Sequence, residues 1–223
     1  MKVFFPLRPS PLRQNNYLCN PKKNTTLNYL AHITLSGTNK QMQLGGFIAD
    51  FVKGNKKAHY PANVWRGIVL HRKIDEFTDN HPAVREAINL LRPSFGRYSA
   101  IVLDMYFDHI LAKNFSKYTE HKSLWLFSMR FSINALRSYA ILPERVKGFI
   151  FHFIFTNRLY KYRKTNGLYE SLKIMSIYKV QTLEPEQCIA FLELHEAKIK
   201  ALFEDLYKDL EVFVAKEIML SKA

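Results

Sequence analysis

The sequence predicts an all-α fold built as a single helical domain. Apolar side chains recur every three or four residues over most of the chain, which is the period of helices that bury one face. No stretch shows the alternation of a half-buried strand, and 8 glycines against 17 phenylalanines and 12 tyrosines disfavour a turn-rich β sandwich. With 223 residues, 48% of them hydrophobic, the chain can bury one sizeable core.

Residues that start or stop helices set the predicted boundaries. Pro61 and Pro143 lie at first turns, where proline is tolerated. Asn80 is predicted to cap the following helix, and Gly54 to end an earlier one that carries the Gly45-Gly46 pair, which allows close backbone approach. The predicted helices span residues 28–35, 41–53, 61–79, 81–91, 97–115, 119–138, 143–160 and 166–178, followed by a long helix from 185 with a break near 210.

The first 26 residues differ from the rest of the chain. They carry four prolines, five basic side chains and no acid, and their apolar run, residues 3–5, is too short for a signal-peptide core. We expect residues 1–26 to be disordered or loosely attached, and the helical domain to span residues 27–223.

Charge and cysteine content narrow the class of partner. The formal net charge is +14, which favours an acidic partner through long-range attraction. No basic run with interleaved aromatic residues marks a nucleic-acid groove, and no uninterrupted apolar stretch of about 18 residues predicts a membrane span. Two distant cysteines indicate neither a disulfide framework nor a zinc cluster, so a reducing, cytoplasmic location is expected, without nucleic-acid or membrane partners.

Two segments pair metal-competent side chains four residues apart, which places both on one helix face. His71 and Asp75 form the first pair, and Asp104 and Asp108 the second, with His109 directly after it. Both pairs share a helical stripe with apolar residues, which predicts that they point inward. Burying carboxylates is costly unless they are paired or bind a metal, so the two helices predict a carboxylate–histidine metal centre. Taken singly, each pair could instead be an ordinary surface pair.

Two earlier segments add His32 and Asp50. Alone, His32 could be a core histidine with satisfied hydrogen bonds, and Asp50 could cap a loop or pair with Lys53.

Taken in order, the segments resemble the acyl carrier protein phosphodiesterase family, a divergent relative of the all-helical HD-type metal phosphohydrolases. The matching stretches are Asn28-Tyr29-Leu30-Ala31-His32, Gly45 through Gly54, Gly67 through Asp79 with Pro82 and Val84, and Asp104 through Leu111. The resemblance covers about residues 27–112 closely and continues weakly over 160–168.

The resemblance implies hydrolysis of the phosphodiester that joins 4'-phosphopantetheine to a serine of acyl carrier protein, in fatty acid biosynthesis. It implies a divalent metal cofactor, expected to be Mn²⁺, and an HD-type helical fold. Carrier proteins are strongly acidic, which suits the basic chain. The expected catalytic residues are Asp50, His71, Asp75 and Asp108. The expected metal ligands are His32, Asp50, His71, Asp75, Asp104, Asp108 and His109. The expected substrate-binding residues are Lys53, Arg72 and Arg97, for which a solvated surface role stays open.

The chain departs from the family pattern in three places. Gly46 stands where asparagine is frequent, and Arg158-Leu159-Tyr160-Lys161-Tyr162 replaces a Trp-Leu-x-x-Tyr run. Leu27 occupies the position of the family's first methionine, so we expect the native start at Leu27, although a real extension would give the same pattern.

Two other functions stay open at this point. The same metal site could serve a nucleotide or another small phosphoester, or the chain could be a non-catalytic basic helical module that binds an acidic protein.

Overall fold

The computed structural model describes residues 29–178 and 182–221, and within these ranges the chain is helical without any strand. The all-α prediction is therefore confirmed for the described residues, whereas the expectations for residues 1–26 and for a start at Leu27 lie outside them. The helices are α1 Tyr29–Leu35, α2 Lys40–Ile48, α3 Ala62–Asn80, α4 Pro82–Phe95, α5 Ser99–Lys113, α6 Phe115–Tyr118, α7 Leu124–Arg137, α8 Glu144–Phe155, α9 Arg158–Lys161, α10 Thr165–Tyr178 and α11 Pro185–Leu220. Single 3₁₀ turns occupy Ala49–Phe51, Lys57–His59, Gly96–Tyr98 and Tyr139–Ile141.

Helices α2 and α3 cross in backbone contact, and two glycines make that possible. A Cβ atom at Gly45 would lie 2.1 Å from the carbonyl oxygen of Val64, and one at Gly67 would lie 2.2 Å from that of Met42. Any larger residue at either position would separate the helices. The close approach predicted from the glycine pair is therefore confirmed, with Gly67 as its counterpart on α3.

Most boundaries fall within a few residues of the prediction, and the differences have local causes. The cap of α4 is His81, whose Nδ1 accepts from the backbone N–H of Ala83; the predicted cap, Asn80, ends α3. The helix predicted over 143–160 stops at Phe155, because Asn157 has a left-handed backbone (φ 44°, ψ 57°) before α9 begins.

The predicted break near residue 210 is wrong. Helix α11 is continuous over 36 residues, since its buried stripe runs on through Leu206, Leu210 and Val214 and no glycine or proline interrupts it. It packs along α3, α4, α5 and α10 and closes the core. No helix among the described residues combines the length and apolar character that crossing a bilayer requires.

A cluster of aromatic rings fixes α8 beside α1 and α2. Phe47 is buried and contacts Tyr29, Phe131 and Phe153, with ring centroids 5.1–5.2 Å apart. Phe149 contacts Phe51 at 5.7 Å, next to Asp50 in the 3₁₀ turn that follows α2. Thus α8 borders the segment that carries Asp50.

Candidate metal centre

Two imidazoles and a carboxylate from α1 and α3 meet in the core. His32 lies on α1, and His71 and Asp75 lie one turn apart on α3. Nε2 of His32 is 3.3 Å from Oδ1 of Asp75, and Nε2 of His71 is 3.3 Å from Oδ2. The two imidazole rings stack at 3.7 Å, and one ligand atom from each of the three residues lies within 4.8 Å of the others. Each residue is at least 96% buried.

The backbone of α2 orients His71 within this cluster. Gly46 packs against α1 and the residue after it, where a Cβ atom would lie 3.0 Å from the carbonyl oxygen of His32 and 2.7 Å from Oγ of Ser36. The carbonyl oxygen of Gly46 lies 2.8 Å from Nδ1 of His71. A carbonyl oxygen can only accept, so Nδ1 carries a proton and Nε2 faces Asp75. Such a hydrogen bond to the outer nitrogen is typical of metal-binding histidines, because it fixes ring orientation and tautomer.

Asp50 lies at the open side of the cluster. Its Oδ1 is 3.3 Å from Nε2 of His71, and its side chain is 53% exposed. Arg72 fixes the loop that follows Asp50, since its guanidinium donates to the carbonyl oxygens of Val52 (2.7 Å) and Gly54 (3.0 Å). Asp50 is therefore the member of the group that faces solvent.

The surroundings shift the pKa values of the two imidazoles in opposite directions. Burial would lower the pKa of His71, but contacts with Asp50 and Asp75 outweigh it and raise that pKa to about 10. Burial and the neighbouring charge of His71 lower the pKa of His32. Burial would raise the pKa of Asp75, but contacts with both histidines hold it well below its usual range. Without a metal, the positive charge of the cluster therefore lies on His71, next to the carboxylate of Asp75.

Unsatisfied polar atoms show that the cluster fits a divalent cation. Both ring nitrogens of His32 and both carboxylate oxygens of Asp75 are buried, and within the described structure none of them makes a hydrogen bond of good geometry, although Asp75 lies 3.3 Å from each imidazole. Buried polar atoms are normally hydrogen-bonded, and nitrogen and oxygen donors that lie this close together without good hydrogen bonds could hold a metal ion. The residues present therefore fit a divalent cation.

The two carboxylates of the second predicted pair, on α5, have different hydrogen-bond partners. Both oxygens of Asp108 accept backbone N–H groups at the start of α1, from Leu30 and Ala31, each at 3.1 Å. Burial raises the pKa of Asp108 to about 7, although these two hydrogen bonds act against the rise. Asp104 is buried, and its Oδ1 has no hydrogen-bond partner. Burial and the nearby charges of Asp108 and Asp75 raise the pKa of Asp104 well above its usual value.

His109 lies apart from this group. Its Nδ1 is 2.6 Å from the carbonyl oxygen of Tyr162, a contact that ties α5 to the end of α9. Lys113 and Glu196, on the same side, are the charges that act on it besides burial and this contact. The structure therefore brings together His32, Asp50, His71 and Asp75, places Asp104 within electrostatic reach of them, and leaves His109 elsewhere.

The cations expected to bind substrate are also spread out. Arg72 is engaged by the loop carbonyls and lies over Trp65 at 5.4 Å. Arg97 donates to the hydroxyl of Tyr98 at 2.5 Å in the 3₁₀ turn before α5. Lys53 is exposed and lies three residues after Asp50.

Two contributors were missed by the sequence analysis. Asp79 lies one turn beyond Asp75 on α3 and helps to raise the pKa of Asp104, so the same four-residue spacing could have identified it. The carbonyl oxygen of Gly46 has no side-chain signal that could reveal it. A surface cleft of about 530 Å³ between α3 and α11, lined by Phe77, His81 and Phe213, contains no member of the cluster and is a separate feature.

Comparison with known proteins places this site in a family. A model of the family described as acyl carrier protein phosphodiesterase matches residues 27–210. The chain belongs to the acyl carrier protein phosphodiesterase family. The match includes α1, the 3₁₀ turn Ala49–Phe51, α3 and α5, which carry the cluster and Asp104. It extends through α10 into α11.

Curated relatives agree with this assignment. Proteins named acyl carrier protein phosphodiesterase from Salmonella agona (strain SL483), Salmonella dublin and Salmonella newport (strain SL254) are each 36% identical over 130 residues. The matched part is 56% of this chain and 63% of each relative, so the match spans less than two thirds of the relatives' length. No solved structure matches the chain, and the expected resemblance to the HD-type fold stays a prediction.

Proposed function

We propose that this protein is a metal-dependent phosphodiesterase that releases 4'-phosphopantetheine from holo acyl carrier protein. The observation that carries the proposal is the buried group of His32, His71 and Asp75, in which one nitrogen or oxygen donor from each residue lies within 4.8 Å of the others. Family membership supports the phosphodiesterase chemistry, and the names of the relatives support the carrier protein as substrate. A cytoplasmic location and a role in fatty acid biosynthesis belong to the same proposal.

His32, His71 and Asp75 would hold the ion, which we expect to be Mn²⁺, with Asp50 and Asp104 as further candidate ligands. When bound, such an ion neutralises phosphate charge and makes a coordinated water acidic enough to act as nucleophile. Asp50 is the half-exposed carboxylate next to His71, so it can accept a hydrogen bond from a water that approaches from solvent. Gly46 keeps the outer proton of His71 in place.

The test measures loss of the prosthetic group from purified holo acyl carrier protein by intact mass, with and without Mn²⁺. Asp50→Asn should reduce the rate by about 10²-fold or more, since it removes the charge next to His71. Asp209→Asn is a matched control, because Asp209 is also half-exposed (59%) and also contacts a histidine, His81, at 3.2 Å.

The outcomes separate the remaining functions. Unchanged carrier protein together with hydrolysis of nucleotides or other small phosphoesters would shift the function to that class. A protein that binds no metal and hydrolyses neither would be a binding module, and the proposal would fail. The buried atoms of His32 and Asp75 that lack good hydrogen bonds argue against that last function, because burying them costs free energy that a bound ion would offset.

A further inference from the structure

The outer side of α7, the turn after it and the middle of α8 expose a row of large apolar side chains. Four of them follow one helix face at intervals of four, four and three residues, and the row continues onto the turn and helix after α7. We call this row the α7–α8 face; its members are Trp125, Met129, Ile133, Leu136, Tyr139 and Phe151. Trp125, Ile133 and Phe151 are 46–49% exposed, and Tyr139 and Phe151 contact each other at 5.5 Å. Such a patch on a protein surface usually marks an interaction site.

The charged residues around this face are almost all basic. Residues 121–169 contain nine lysines and arginines and a single acid, Glu144, which pairs with Lys147 at 2.8 Å. Arg130 and Arg137 are exposed on α7 itself, which carries no acid. By contrast, α11 carries eight acids and four lysines. Residues 121–169, which include the α7–α8 face, therefore contribute +8 (nine basic residues minus one acid) to the formal net charge of +14.

The α7–α8 face also borders the metal centre. Phe149 and Phe153 of α8 pack on Phe51 and Phe47, beside Asp50, while Phe151 on the same helix points outward. The width of α8, about 10 Å, therefore separates Phe151 from the segment that carries Asp50. In the proposed reaction the scissile bond joins the prosthetic group to a serine on the carrier's surface, so the carrier must touch this protein close to the metal centre.

We propose that the α7–α8 face is the docking surface for the acidic carrier protein, with apolar contacts along α7 and α8 and the basic side chains around them. The proposal rests on the proposed function, since it takes its partner from that reaction. Its charge is complementary to an acidic protein, which speeds encounter and sets orientation. A second copy of this chain is disfavoured as occupant, because a symmetric pair would place Arg130 and Arg137 against the same residues of the other copy.

The test measures binding separately from hydrolysis. Affinity for apo carrier protein, which lacks the scissile bond, is measured by calorimetry for the wild type and for the double variant Ile133→Ser with Phe151→Ser. The matched control is Leu194→Ser with Val212→Ser, two exposed apolar residues (78% and 71%) on α11. We expect the first pair to weaken binding about tenfold or more and the control to leave it unchanged. All variants should hydrolyse bis(4-nitrophenyl) phosphate with Mn²⁺ at the wild-type rate.

A charge test complements the apolar one. Arg130→Glu with Arg137→Glu should weaken binding at low salt and flatten its salt dependence. Lys208→Glu with Lys216→Glu on α11 makes the same change in net charge and should have a smaller effect. Equal effects of the two pairs would show that only net charge matters and would overturn the proposal.

Other results assign the face to a different occupant. If the face variants bind carrier as the wild type does but lose self-association in sedimentation, or lose binding to anionic phospholipid vesicles, the proposal is overturned in favour of a second copy or a membrane surface. If the wild type binds carrier through this face but releases no phosphopantetheine, the docking proposal stands and the proposed function fails. If the wild type releases phosphopantetheine and the face variants leave both binding and KM unchanged, the proposed function stands and the docking proposal fails.

Discussion

Helices α3 and α5 carry pairs of side chains with the same spacing, yet the structure uses them differently. On α3, His71 and Asp75 both point into one cluster with His32. On α5, Asp108 gives both oxygens to the backbone of α1, and only Asp104 is left with an oxygen that lacks a hydrogen-bond partner. Spacing decides that two side chains share a helix face, but the neighbouring element decides what each of them meets.

The difference comes from the backbone that each pair faces. His71 faces α2 next to the glycine crossing, where the carbonyl oxygen of Gly46 accepts a hydrogen bond from its Nδ1–H, and Asp75 faces His32 on α1. Asp108 faces the start of α1, where unpaired N–H groups and the positive end of the helix favour a carboxylate. The α3 pair is thus suited to binding an ion, and Asp108 is suited to holding α1, and with it His32, in place.

The largest expected effect is a loss of turnover without a loss of fold, on substitution of Asp75. Asp75→Ala removes a carboxylate that contacts both imidazoles, and we expect turnover with Mn²⁺ to fall by about 10³-fold or more. Far-UV circular dichroism should stay that of the wild type, because α3 keeps its apolar stripe. Turnover within threefold of wild type would remove Asp75 from the site.

The glycine crossing that positions the α3 pair should be nearly as sensitive. Gly67→Ala places a methyl group 2.2 Å from a carbonyl oxygen of α2, and we expect the free energy of unfolding to fall by about 3 kcal/mol or more. Gly148→Ala on α8 is the control, since nothing lies within 4 Å of its Cβ position. That variant should be stabilised by roughly 0.5–1 kcal/mol. Equal urea midpoints for the two variants would contradict the crossing.

Asp108 should show the opposite pattern to Asp75. Asp108→Ala leaves two buried N–H groups of α1 without partners, and we expect a loss of about 2–4 kcal/mol in unfolding free energy. The folded variant should still be stabilised by Mn²⁺ in thermal unfolding, whereas Asp75→Ala should not. A stable Asp108→Ala protein that has lost its response to Mn²⁺ would make Asp108 a metal ligand instead of a cap.

The smallest expected effect is a pH dependence of Mn²⁺ affinity, caused by the proton that His71 carries in the metal-free protein. The contacts of His71 with Asp50 and Asp75 raise its pKa to about 10, so below that pH the metal-free imidazole is protonated. A metal can bind Nε2 only after that proton leaves, so Mn²⁺ affinity should increase with pH, by up to about tenfold per pH unit between roughly 6.5 and 8.5.

Calorimetry at pH 7 in buffers of different protonation enthalpy should therefore show release of about one proton per ion. His81→Gln, which alters the other His–Asp contact, is the control and should leave this number unchanged. Affinity that does not depend on pH would contradict a protonated His71 in the metal-free protein.

The sequence by itself predicted the helical fold and the four side chains that the structure brings together, His32, Asp50, His71 and Asp75. Apolar periodicity gave the helices, since it reflects which face each helix must bury. The spacing of His71 and Asp75 placed both on one inward face of a helix. The resemblance to a family assigned His32 and Asp50 to the same site. The glycine pair on α2 indicated a close backbone approach before its partner, Gly67, was visible.

Only the tertiary structure decided what each inward side chain meets. It assigned Asp108 to the N–H groups of α1, His109 to the carbonyl oxygen of Tyr162 and Arg72 to the loop after Asp50. It also revealed the carbonyl oxygen of Gly46 as the group that orients His71. The physical reason is that these partners are backbone atoms, which every residue carries, so no side-chain pattern identifies them until the chain has folded.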